Sequence, residues 1–65
     1  MSNEQERAQR YRTRAVEFRA IADLDRDTQN HNALMEIAER YDQMAQRLET
    51  IDRAYKSWQE ASARV

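Results

Sequence analysis

The sequence contains no cysteine, no glycine and no proline. Without cysteine there is no disulfide and no thiolate metal site, and the one histidine, His31, cannot build a zinc centre by itself. Without glycine the tight turns of a β fold lose their usual residue, and without proline nothing interrupts a long helix. Neither sign of charge dominates: 11 Lys and Arg stand against 12 Asp and Glu, a formal net charge of -1. The basic excess of a nucleic-acid binder is therefore missing. No apolar run approaches the length of a membrane span or a signal-peptide core, so the expected compartment is the cytoplasm.

What remains is a 65-residue chain rich in charge, at 35%, with hydrophobic residues at 40%. Those hydrophobic residues are periodic, which argues for folded helices rather than disorder. A chain this short hides only about 60% of its unfolded surface when it folds alone. With no disulfide or metal available, a partner chain is the expected source of further burial.

The most regular stretch is Leu34 to Val65. Leu34, Ile37, Tyr41, Met44, Leu48, Ile51, Tyr55, Trp58, Ser62 and Val65 recur in steps of three and four, the rhythm of a coiled-coil seam. Upstream, Ala8, Tyr11, Ala15, Phe18 and Ala22 recur in the same way, and Ser2 with Gln5 forms a capping-box pattern ahead of them. Between the two stretches lie Asp23, Asp25, Asp27, Thr28, Asn30 and Asn32, residue types that compete for backbone hydrogen bonds and disfavour helix interiors. Asp27 is the expected N-cap of the second helix, with Asp25 as the alternative.

The predicted fold is all-α: an antiparallel two-helix hairpin over residues 1–65, assembling into a helical bundle or coiled coil. Helix one covers about 3–24, the turn about 25–27 and helix two about 28–63. Acid-to-base pairs at i,i+4 are expected at Glu6/Arg10, Glu36/Arg40, Glu49/Arg53, Asp52/Lys56 and Glu60/Arg64, together contributing roughly 2 kcal/mol. Helix one, some 33 Å long, cannot cover helix two, some 54 Å long. Opposite Thr28 it starts, and near Glu49 it runs out. Ile51, Tyr55, Trp58 and Val65 are left uncovered, more apolar surface than a monomer commonly exposes. They are the expected self-association or partner interface, with a homodimer as the expected assembly.

Other chemistry finds little support in the residues. Asp25, Asp27, Gln29 and Glu36 fall at the first, third, fifth and twelfth positions of an EF-hand-like loop, but Asn30 stands where glycine would permit the turn. Aspartates before a helix act as caps, so no metal is expected. His31 has no nucleophile or second histidine nearby and reads as an exposed helix residue, so neither an enzyme nor a cofactor is expected. Arg7, Arg10 and Arg14 cluster on one flank of helix one and form a candidate anion contact. The competing expectation is that they pair with Glu36, Asp42 or Glu49 of helix two or of a neighbouring chain.

Residues Tyr11-Arg-Thr-Arg-Ala-Val-Glu-Phe-Arg-Ala-Ile-Ala22 and Leu34-Met-Glu-Ile-Ala-Glu-Arg-Tyr-Asp-Gln-Met-Ala45 resemble short helical-hairpin proteins of rhizobia and related alphaproteobacteria. The resemblance covers about residues 11–49. Members often carry proline just after the turn acid, where this chain has Thr28. It implies a bacterial, cytosolic helical hairpin, and no reaction, cofactor or site. The function expected from the sequence is a small self-associating structural or protein-interaction module. The alternative is a nucleic-acid-associated or regulatory protein using the arginine flank of helix one.

Overall fold

The computed structural model describes residues 3–63, in two helices: α1, Asn3–Leu24, and α2, Thr28–Ala63. Ser2 of the capping-box pattern, Arg64 of the last i,i+4 pair and Val65 of the seam lie outside the described residues. Glu4 and Glu6 sit in the first turn of α1, where the partial positive charge of the helix N-terminus favours them.

Three residues join the helices, and side chains do the work that glycine performs elsewhere. The Asp27 carboxylate accepts from the backbone N–H of Gln29 at 2.9 Å and of Asn30 at 3.2 Å, the N-cap arrangement read from the sequence. The Asp25 carboxylate in turn accepts from Asp27 N at 2.9 Å, an Asx turn that aims the chain into α2. At the end of α1 the Ala22 carbonyl accepts from Asp25 N at 3.2 Å, and His31 Nδ1 lies 2.8 Å from the same oxygen. A carbonyl oxygen only accepts, so His31 carries its proton on Nδ1 and donates. The residue is half-buried. The expectation that it is merely an exposed helix residue is corrected: it ties the start of α2 to the end of α1.

The innermost residues are small. Ala8, Ala15 and Ala22 of α1 and Ala38 and Ala45 of α2 are each at most 2% exposed. Each set repeats every seven residues, so each stays on one face over two turns. His31 meets Ala22, and Tyr41 meets Tyr11 with ring centroids 5.7 Å apart. As positions fall along α1 they rise along α2, so the helices run in opposite directions. In that register Ala38 lies opposite Ala15, Ala45 opposite Ala8, and Asn3 opposite Thr50. A methyl group at each layer lets the backbones approach closely, and close packing then supplies dispersion contact that larger side chains would hold off.

The large seam residues flank this alanine track rather than forming its centre. Leu34, Tyr41, Met44 and Leu48 are half-buried, while Ile37 is 36% exposed. The next position of the α2 track is Asp52, 7% exposed and paired with Lys56 at 3.0 Å. Beyond it α2 continues alone, giving extents of 58 × 17 × 11 Å.

Two substitutions test this account of the fold. Asp27→Ala removes the cap of α2 and is expected to cost about 1 kcal/mol of stability, read as a lower midpoint in urea. Ala38→Leu forces a branched side chain into the closest layer and is expected to cost at least 1–3 kcal/mol. A midpoint unchanged by Ala38→Leu would mean that the helices do not meet there.

Candidate interaction face

Each residue advances the helix by roughly 100°, so the two sides of the alanine track carry different chemistry. Four positions after Ala8 and Ala15 stand Arg12 and Arg19, and four after Ala38 and Ala45 stand Asp42 and Glu49. These meet across the interface on one side. Arg12 reaches Glu49 through Nε at 2.8 Å and Nη2 at 2.5 Å, and lies 4.0 Å from Asp42. Arg19 pairs with Asp42. The ion pairs bridge one edge of the helix pair, and their side chains remain about a third or more exposed.

Three positions after the same alanines stand Tyr11, Phe18, Tyr41 and Leu48, on the opposite side. Phe18 and Tyr41 stack, with centroids 5.5 Å apart and planes 13° from parallel. One position before each track residue of α2 lie Ile37, Met44 and Ile51, further out on this side. Tyr55 and Trp58 continue the row, stacked on each other at 6.3 Å. Ile51 is 54% exposed, Tyr55 58% and Trp58 64%. The corresponding positions of α1 are Arg7, Arg14 and Ile21. The helix pair thus has one charged, bridged side and one apolar, aromatic side.

The structure places the sequence-derived candidates as follows. Ile51, Tyr55 and Trp58 are together on the outer part of the apolar side, and Val65 is outside the described residues. Tyr55 and Trp58 are turned away from the line that α1 follows. The next positions on that line after Ala45 are Asp52 and Gln59, so the uncovered stretch of α2 does not simply extend the α1 contact.

Arg7, Arg10 and Arg14 are exposed on or behind the apolar side. Within the chain these arginines do not pair with Glu36, Asp42 or Glu49. Arg12 and Arg19 hold two of those acids, and Arg14 instead approaches Glu17 of its own helix at 3.6 Å. Among the described residues no ion pair joins Glu6 to Arg10, Glu36 to Arg40 or Glu49 to Arg53; of the expected i,i+4 pairs, Asp52–Lys56 forms. Sequence spacing favoured pairs within a helix, but Glu49 and Asp42 gain charge-assisted bonds across the interface instead. Arg7 and Arg47 line a shallow cleft of about 180 Å³ with Tyr11, Met44 and Leu48, so the apolar side has a basic fringe.

Asp25 and Asp27, the first and third positions of the calcium-like pattern, bind backbone N–H groups. No group of three or more metal-ligating side chains converges among the described residues. Nor is any described helix long and apolar enough to cross a membrane. No family model, curated protein or solved structure matches the chain.

The ion-paired side is expected to matter little for stability. Arg12→Ala and Arg19→Ala should each cost only about 0.2–1 kcal/mol, because the pairs are solvated, and the loss should shrink as salt is raised. A loss above 2 kcal/mol in urea titrations would contradict that assignment.

Proposed function

We propose that this protein is a small self-associating helical module whose unit is an antiparallel hairpin and whose docking surface is the apolar side. It would act by binding rather than by catalysis. One observation carries the reading. The chain exposes 5542 Å² of surface, whereas a compact monomer of its 7.8 kDa mass exposes about 4,400 Å². The radius of gyration, 16.2 Å, likewise exceeds the roughly 11 Å of a compact chain this long. The excess of roughly 1,100 Å² includes a contiguous aromatic row, and a standard interface removes about 800 Å² from each partner. A homodimer answers the excess.

The arginines of α1 that do not bridge to α2 favour a second reading, an anionic partner such as nucleic acid engaging Arg7, Arg10 and Arg14, the last of which also approaches Glu17. The net charge of -1 and the aromatic row both weigh toward self-association. The two readings predict opposite responses to salt. Two like apolar faces with basic fringes repel at low ionic strength, so self-association should tighten between about 50 and 500 mM salt as the fringe is screened. Binding to phosphates weakens over the same range.

Sedimentation equilibrium is expected to show a dimer at micromolar concentration, tighter at high salt. Trp58→Ala should weaken it at least tenfold while leaving the helicity of the chain intact. A stable monomer at high micromolar concentration, or duplex binding that Arg10→Ala and Arg14→Ala abolish, would overturn the proposal.

A further inference from the structure

We infer that the partner on the apolar side is a second copy lying antiparallel along the whole of α2, with the two-fold axis beside Met44. The inference rests on the self-association reading and specifies its geometry. It follows from the distribution of the apolar row beside the alanine track, in which Ile37 and Ile51 are exposed and Met44 half-buried. Ile37, Met44 and Ile51 lie at steps of seven on one edge of α2, and this row is symmetric about Met44. An antiparallel copy places Met44 against Met44 and each isoleucine against the other isoleucine of its partner. Such self-complementarity is what an isologous two-fold interface requires.

The ends of the molecule obey the same symmetry. Met44 lies close to the middle of Thr28–Ala63, so two copies centred there overlap along their full length. At one end stand Tyr55 and Trp58, beyond the reach of α1. At the other end, where Ala22 meets His31, Ile21 is 52% exposed and Leu24 84% exposed. Reversing one copy brings Tyr55 and Trp58 of each onto the Ile21–Leu24 end of the other. Ile21, one position before the track residue Ala22, shares the apolar side and is covered together with Tyr55 and Trp58 by this one operation, while Leu24 stands beside them on the outward face of α1. The surface excess of roughly 1,100 Å² exceeds the about 800 Å² per partner that a standard interface needs.

An end-to-end arrangement, in which the bare stretch of one α2 continues the line of the other copy's α1, lacks this match. It would meet Asp52 and Gln59 and leave Trp58 outside.

Because the chain has no cysteine, single-cysteine variants report the geometry directly. Met44→Cys is expected to give mostly disulfide-linked dimer under mild oxidation, since residues beside a two-fold axis come within the Cα separation of about 4.4–6.8 Å that a disulfide needs. Gln59→Cys, on the line of α1, is expected to stay unlinked. A nitroxide on Leu24→Cys gives a second reading. Trp58 lies about 45 Å along α2 from Thr28, so quenching of its fluorescence by that label can come only from the partner, and a loss of at least half is expected. Sedimentation of each variant separates the failures. A chain that stays monomeric overturns self-association and this geometry together. A dimer that links through Gln59→Cys, or neither links through Met44→Cys nor shows Trp58 quenching, overturns the geometry alone. So does association that occurs only when an acidic protein is added.

Discussion

The close approach of α1 and α2 along their alanines is the constraint on which the rest depends. Five methyl-sized side chains, each at most 2% exposed, fill a core that contains no large fully buried residue among the described residues. Such a core removes little apolar area per residue, and at about 25 cal/mol per Å² it leaves modest stability for ordering so many residues. What it provides is position. With the backbones this near, the residues three or four places along each helix must meet at the edges, and these edges carry the molecule's chemistry.

The two edges differ because the helical repeat is asymmetric about the track. Steps of four carry Arg12, Arg19, Asp42 and Glu49 to one side, where opposite charges meet. Steps of three carry Tyr11, Phe18, Tyr41 and Leu48 to the other. The first edge is satisfied by its own ion pairs and remains hydrated. The second is widened by Ile37, Met44 and Ile51 and has more apolar surface than α1 can cover. Extra length in α2 adds Tyr55 and Trp58 to the same side. An exposed apolar side therefore results from a core too narrow to absorb its large residues.

Several features were legible before the fold was known. Asp27 reads as a cap because a carboxylate before a helical pattern can bind the free N–H groups of the first turn, and it does so. The exposure of Ile51, Tyr55 and Trp58 was legible from the unequal lengths of the two patterns. His31 was misread, because its bond to the Ala22 carbonyl exists only once the chain has turned. Within the chain the arginine pairing also differs from that expected. Arg7, Arg10 and Arg14 form the denser cluster in sequence, but Arg12 and Arg19 have the angle that faces α2. The seven-residue spacing of Ala8, Ala15 and Ala22, matched by Ala38 and Ala45, was the available signal for that angle.

By itself, then, the sequence determined that two helices form, where the break falls and how much of the second lacks cover within the chain. Those follow from local hydrogen bonding, apolar periodicity and helical rise, all properties of short stretches. Only the tertiary structure decided that alanines rather than the large seam residues lie innermost, and on which side the uncovered aromatics point. That choice depends on the rotation of each helix about its axis. Rotation is fixed by how closely two backbones can approach, a property of the pair and not of either helix.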